Sequence, residues 1–468
     1  MERDEKESVH PPGPAARGLS RWLAGDAGAG RPVSTRVRPR ARQYRLALGV
    51  LLVAVLGAGA LAGCDHREAS TQTLSFWTFG PEGEAVQALL PAFERAHPDI
   101  KVSVQQLPLS AAHQKLLTAY AGGSMPDMMQ LGNTWLPEMV ALNAVEPLDA
   151  RARGSTSVVP GDYFDSIWAT NVIDGRLYGV PWYVDTRLLF YRVDLLKAAG
   201  FDHPPRDWAE WRRMLAALSD PAAHRYGILL PTNEYEQLMS LALEQPDPLL
   251  RDGNRYGNFE SAGFKRALRF YVDTFREQQA PAISNVVAGN PWEEFGRGVY
   301  AFYLSGPWNI GEFRSRLPAD QQARWSTARL PGPDGPGAGA AGGASLVVFR
   351  HSAHKDAAWA LIEYLSQPQV QRRFYALVGD MPPRRSAWDG GELSRDAQAR
   401  AFREQLEHVK PTPPVPEWER IANEMQLVAA RVIAGELTVD QACAELDKRV
   451  DAILEKRRWV LARREGAR

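Results

Sequence analysis

Four aromatic residues, Trp77, Trp135, Tyr183 and Trp308, and two acids, Glu82 and Glu84, are the side chains best placed in this sequence to hold a small molecule. Flat rings accept apolar C–H faces, and carboxylates accept hydrogen bonds from hydroxyls. The chain carries 14 tryptophans in 468 residues, a surplus that sets stacking beside ordinary core packing as the use of any one of them. Glu84 falls in the first turn of the helix expected after the first strand, where its carboxylate can take two hydroxyls or complement the helix dipole. Glu82 is the second choice for that role.

Bond-breaking chemistry has weaker signals. Glu293-Glu294 and Glu82/Glu84 are paired acids of the kind a glycoside hydrolase uses, but adjacent acids point different ways and solvated faces explain most such pairs. There is no His-Glu-x-x-His, no Gly-x-Ser-x-Gly and no Cys/His cluster with metal-ligand spacing. Gly337–Gly342 fits G-x-G-x-x-G, yet it follows a Gly/Pro loop and opens no evident helix, so it reads as a connection. No catalytic residue, metal or cofactor is assigned, and the chain is not expected to be an enzyme.

An uncharged run from Leu46 to Gly63 follows Arg36, Arg38, Arg40, Arg42 and Arg45 and stops at Leu61-Ala62-Gly63-Cys64. Basic flank, short apolar stretch and small residues at its end are the pattern of an export signal rather than a spanning helix. The end of the run resembles a lipobox, which implies lipidation of Cys64 and a mature protein on the outer side of the cytoplasmic membrane. Asp65 resembles the signal that keeps lipoproteins on the inner membrane, giving an expected periplasmic, lipid-anchored location. Residues 1–45 are expected to be a disordered basic extension, 46–64 the signal and 65–72 a tether.

Lys plus Arg and Asp plus Glu each number 55. Because ten of the basic and five of the acidic residues precede Asp65, the remainder is mildly acidic and has no basic block suited to nucleic acid. About 400 residues exceed one hydrophobic core, so two lobes are expected. With Cys64 lipidated, Cys443 has no partner; it keeps helical step with Leu446, Val450 and Ile453 and is expected to be a buried thiol.

The elements alternate. Leu74–Phe79 reads as a strand, Val86, Leu89, Leu90 and Phe93 as a helix face, Ile100, Val102 and Val104 as a strand, Leu116, Leu117 and Tyr120 as a helix, Asp127–Leu131 as a strand and Thr134–Leu142 as a helix. This order predicts an α/β fold with a mostly parallel sheet, whose ligands lie beyond the carboxyl ends of the strands, in the loops after Phe79 and Leu131. Later, Ser345–Arg350 reads as a strand and Lys355–Leu365 as a helix. Two amphipathic helices close the chain, the second with Thr438 as N-cap.

Taken in order, Trp77-Thr78-Phe79-Gly80, Gly122-Gly123-Ser124-Met125-Pro126-Asp127, Tyr178-Gly179-Val180-Pro181-Trp182-Tyr183-Val184-Asp185, Gly306-Pro307-Trp308-Asn309 and Gly342–Phe349 resemble the extracellular solute-binding proteins that deliver carbohydrates to ABC importers, a group that includes maltose- and trehalose-binding proteins. The resemblance spans about residues 72–455. It implies a two-lobed periplasmic binding protein fold, each lobe a central sheet flanked by helices, with lobe 1 formed by 73–182 plus 345–378, lobe 2 by 183–344 plus 379–458, and a tail at 459–468. It also implies a hinged cleft that captures a mono- or oligosaccharide, an ABC permease as partner, and a monomer. Carried over residue by residue, Trp308 stacks on the ligand, Asp185 is a ligand-binding acid and Arg384 reaches in from the other lobe. Gly343 and Ser345 offer backbone or hydroxyl groups. Where some family members have an acid before the third-loop tryptophan, this chain has Gly132-Asn133, so Asn133 is expected to substitute. The same fold with an anion or polyamine ligand stays as an alternative, and Arg384-Arg385 leaves an acidic sugar open.

Overall fold

Nine strands carry the architecture: β1 (Gln72–Phe79), β2 (Ile100–Leu107), β3 (Met128–Gly132), β4 (Val180–Asp185), β5 (Leu188–Arg192), β6 (Tyr226–Leu229), β7 (Tyr300–Ser305), β8 (Trp325–Ala328) and β9 (Gly342–Val348). The computed structural model describes residues 71–466. The signal, Cys64, Asp65 and nearly all of the tether lie outside the described residues.

The strands form two sheets, ordered β2-β1-β3-β9-β4 and β8-β5-β7-β6. β1 runs parallel to β2 and β3, and β6 parallel to β7. The expectation of a mostly parallel sheet fails at one strand in each: β9 is antiparallel to β3 and β4, and β5 to β7 and β8. The cause is shared. Strands that start within a lobe run toward the junction, whereas β5 and β9 start at the junction, each having just crossed from the other sheet.

Helices cover both sheets. The helix α1 (Glu82–Ala96) buries Val86, Leu89, Leu90 and Phe93 in the core of the first lobe. α2 (Leu109–Gly122) buries Ala112, Leu116 and Ala119 there. The second lobe is built around Trp211, Phe264, Phe302 and Trp418. Of the two closing helices, Trp418–Ile433 buries Ile421, Met425, Val428 and Val432, and Val439–Ile453 begins at Thr438 with a reciprocal capping box to Gln441. Cys443 is buried, and burial pushes its thiol up to about 12, which keeps it inert at neutral pH. The single helix expected over Thr134–Leu142 is a 3-10 turn, Asn133–Trp135, followed by Leu136–Ala141. Pro137, with no N–H to give, falls in the first turn of the second piece.

At the junction β4 and β9 press together. Gly342 pairs with Asp185 and Gly343 with Val184, and the register slips between Ala344 and Ser345. The Val184 N–H also donates to the carbonyl of Met381 at 2.9 Å, bringing in a third stretch of chain. Gly343 has φ +120°, and a Cβ there would overlap the Tyr183 carbonyl oxygen. Gly343→Ala is therefore expected to cost about 3 kcal/mol, from strain plus overpacking, read as a lower urea midpoint with an unchanged slope.

Candidate ligand-binding site

Gly80, with φ +69°, ends β1 and turns the chain straight into α1. The first turn of α1 then points Glu82 inward, 7% exposed, and leaves Glu84 exposed. Two residues on a helix are about 200° apart, so only one acid of the pair can face the junction. The order of preference read from the sequence is thus reversed. Beside Glu82 a chain of hydrogen bonds is anchored on the backbone: the Phe79 N–H donates to Gln130 Oε1 at 3.0 Å, and Gln130 Nε2 donates to Tyr183 Oη at 2.9 Å. Tyr183 and the buried Asp380 lie close to Glu82, whose Oε2 is buried without a hydrogen-bond partner. Burial holds the Glu82 carboxyl above the usual range.

Next along this wall, Ser345 Oγ donates to Asn133 Oδ1 at 2.9 Å, and Asn133 Nδ2 is buried without a partner. Ser345 thus orients Asn133 instead of offering its own hydroxyl. Trp135 is half-buried, with its ring centroid 5.4 Å from Phe79 and 4.9 Å from His113. Helix Trp418–Ile433 of the second lobe packs on this turn and brings in Glu419, whose carboxyl burial pushes up.

On the facing wall, Asp185 accepts two hydrogen bonds from Arg187 Nη1, at 2.8 and 2.9 Å. Arg187 Nη2 lies 3.5 Å from Glu236, and its guanidinium carbon sits 4.8 Å from the centre of the Trp308 ring. Burial disfavours the Arg187 charge, but Asp185, Glu236 and Glu234 outweigh it and the group stays cationic. Trp308 is half-buried at the start of helix Asn309–Arg316. Its turn is fixed by Asn309, which accepts from Trp292 Nε1 at 2.6 Å and donates to Ser305 Oγ at 2.8 Å. Gly306 is required below it, since any Cβ would enter the indole.

A half-buried indole over a pinned guanidinium, facing carboxyls and an amide across two lobes, is a place to hold a solute. Residues 78–372 match the family described as bacterial extracellular solute-binding proteins. This chain belongs to that family. Among solved structures, the sugar-binding protein MalE of Xanthomonas citri is 55% identical, with a TM-score of 0.80, and the match covers 84% of this chain and 99% of that one. A Thermotoga lettingae ABC transporter solute-binding protein bound to α-D-tagatose is 26% identical, with TM-score 0.72, over 82% of this chain and all of that one (100%). The diacetylchitobiose-binding protein DasA of Streptomyces coelicolor is 22% identical over 89% of this chain and 98% of its own length. These relatives bind solutes; none of the three is named as an enzyme.

Not every residue singled out in the sequence meets at the junction of this solute-binding protein. Trp77 is 9% exposed and lies in the first core, with Lys115 Nζ of α2 4.9 Å from its ring, so it is a layer under a helix. Arg384 is a correction of the same kind. It donates from Nε to Asp162 and from Nη1 to the carbonyls of Ser157 and Ser366, each at 2.6 Å. A guanidinium so committed ties chain segments together and has little left for a solute. Its neighbour Arg385 pairs with Glu407 at 3.0 Å and donates to the Tyr163 carbonyl. Gly343 allows the close crossing of β4 and β9.

Gln130, Arg187, Glu236, Asp380 and Glu419 were missed. Gln130 had a signal, a lone amide in the apolar strand Met128–Gly132, fully buried here. Arg187 had another, standing two residues from Asp185 in extended chain, a spacing that puts both side chains on one side. Asp380, Glu236 and Glu419 had none, because helix or loop acids are common and only tertiary packing brings these three in.

Proposed function

We propose that this solute-binding protein captures an uncharged mono- or oligosaccharide between its lobes and passes it, covalently unchanged, to an ABC importer. The observation that carries the reading is a set of buried polar atoms without protein partners: Arg187 Nε beside Trp308, and Asn133 Nδ2 and Glu419 Oε1 by the turn that carries Trp135. Donors and an acceptor beside an indole suit hydroxyls around a flat ring. The name of the Xanthomonas citri relative, a sugar-binding protein, supports the same class. Lipidation of Cys64 would hold the protein at the membrane where the permease sits.

Charge narrows the class. Arg187 is matched by Asp185 and Glu236, and Arg384 and Arg385 are committed to protein partners, so none of these three cations is left over for a uronate or phosphate. Hydrolysis is disfavoured as well: a glycosidase needs two carboxyls flanking the sugar, whereas of Glu82 and Glu84 the first is buried and the second exposed on the outside of the helix. Glu293 and Glu294 sit on a surface helix, paired with Arg297.

The test is a thermal-shift panel of neutral sugars, amino sugars, uronates, polyamines and phosphate esters, with chromatography of each stabilising compound after incubation. A micromolar ligand at ~1 mM should add about 4 kcal/mol of stability. Stabilisation by a neutral sugar recovered intact supports the reading; stabilisation only by charged compounds, or recovery of cleaved sugar, rejects it. Loss of acyl labelling in Cys64→Ser, with labelling in the parent, tests the anchor.

A further inference from the structure

We propose that the outer face of the last two helices, carrying Lys448, Lys456, Trp459 and Arg463, rests on a bilayer surface rich in anionic phospholipid. The inference goes beyond the solute reading and does not depend on which ligand the junction takes.

Helix Val439–Ile453 passes into helix Glu455–Gly466 through a single residue, Leu454. The Leu454 N–H donates to the Val450 carbonyl at 2.9 Å and its carbonyl accepts from the Arg458 N–H at 3.0 Å, so helical phase carries across the join. At about 100° per residue, Leu454, Arg457, Arg458, Leu461 and Glu465 then share one side. That side is fastened to the second lobe. Leu454 is fully buried, Arg457 Nε donates to the Asn254 carbonyl at 3.0 Å, Arg458 Nη1 donates to the Arg255 carbonyl at 3.1 Å, and Glu465 pairs with Arg255. Lys448, Ala452, Lys456, Trp459 and Arg463 fall on the opposite side, within an arc of about 80°. All five are exposed.

A merely solvated face has a different pattern in this chain. Elsewhere a surface arginine is balanced by an acid one helical turn away, as in Glu293–Arg297, Glu312–Arg316 and Asp320–Arg324. The outer stripe lacks that balance. One turn from Lys456 stand Ala452, Ile453, Trp459 and Val460, and one turn from Arg463 stand Trp459, Val460 and Gly466. Among the described residues none of the three cations is in an ion pair, and the acids one turn from Lys448 are engaged elsewhere, Glu445 with Arg431 and Arg449 and Asp451 with the Gly257 N–H. Glu455 borders the stripe, one acid against three cations.

Trp459 points to the same partner. It is 55% exposed, whereas every other tryptophan among the described residues is buried or half-buried. The only group over its ring is the Arg463 guanidinium, 3.8 Å from the centre. An indole at the surface between unpaired basic side chains suits a headgroup layer: the ring enters the acyl boundary, and the long basic side chains lie along it with their charges at the phosphates. Among the described residues no helix is long and apolar enough to cross a membrane, so the contact is along the surface. Acids outnumber bases in the chain after Cys64, which makes attraction to an anionic surface local to this stripe and therefore orienting.

The experiment uses the full mature protein carrying Cys64→Ser, so that no acyl chain contributes, and measures its sedimentation with phosphatidylcholine vesicles that contain or lack phosphatidylglycerol. The protein should sediment with the anionic vesicles only, and less of it as added salt screens the charge. Each cation is expected to contribute about fivefold to the partition constant, so Lys448→Gln, Lys456→Gln and Arg463→Gln combined should weaken it about 100-fold. Trp459→Ala should weaken it about tenfold. Melting temperatures should stay close to the parent's, because the outer face holds no other element in place; if the triple variant melts early, Lys456→Gln alone, with its fivefold loss, serves instead. Failure to sediment with the anionic vesicles overturns the proposal, and so does sedimentation that survives the charge substitutions. Binding that needs the cations, ignores Trp459 and is matched by polyglutamate assigns the stripe to an acidic protein partner and overturns the lipid assignment.

Discussion

Trp308→Ala is expected to weaken sugar binding by about 2 kcal/mol or more, roughly 30-fold in Kd, with a much smaller effect on the melting temperature. The indole is half-buried and stands on a turn that Asn309 holds through Ser305 and Trp292, so truncating it leaves the turn's own hydrogen bonds in place. What disappears is the flat face and its contact with Arg187, 4.8 Å away. Calorimetric titration with the best sugar from the panel is the measurement. An affinity within a factor of two or so of the parent, well inside the scatter of single contacts, would remove Trp308 from the site.

Arg384→Met is expected to do the opposite. Removing this guanidinium leaves the Ser157 and Ser366 carbonyls without this donor inside packed chain, and the Asp162 carboxylate with Ser386 but no cation. Breaking a buried pair from one side costs about 3–5 kcal/mol, a large part of a domain's margin. Affinity of the molecules that remain folded should be unchanged. The Asp162 carboxyl is opposed by burial but held below its usual value by Ser386 and Arg384. Wild-type stability from this carboxylate is therefore present above the ordinary carboxylate range and lost as pH falls through the lowered value; the variant should lose the share that Arg384 contributes and keep the share from Ser386. Urea unfolding across pH, alongside binding, separates the two mutants: one loses ligand and keeps its fold, the other loses fold and keeps its ligand affinity. A normal stability for Arg384→Met would return that residue to consideration as a ligand contact.

The contrast between these residues marks what could be read from sequence. Alternating strand and helix signals from Leu74 to Leu142 gave the layered lobe because apolar periodicity is local. Thr438 was legible as a cap for the same reason. The single reversed strand in each sheet was not, since direction depends on which lobe the chain has just left. At the site, the motifs of Asp185 and Trp308 come together through Arg187, a residue that neither motif singled out. Arg384 occupies such a motif too, yet three short bonds on one side divert it. Glu82 and Glu84 differ only by helical phase, and no spacing rule sets the phase of a first turn that begins at a left-handed glycine. Asp380 was invisible because nothing local marks a loop acid that tertiary packing will bury.

The reversed strand β9 also governs how this polypeptide must mature. Asn133 waits 212 residues for Ser345, and through that interval β3 has an open flank of unpaired amides and carbonyls. A chain emerging from its N-terminus would expose that sticky margin until every second-lobe strand had been made. Completion of the first lobe thus waits on β9, and any delay in producing that strand lengthens the window for wrong partnerships.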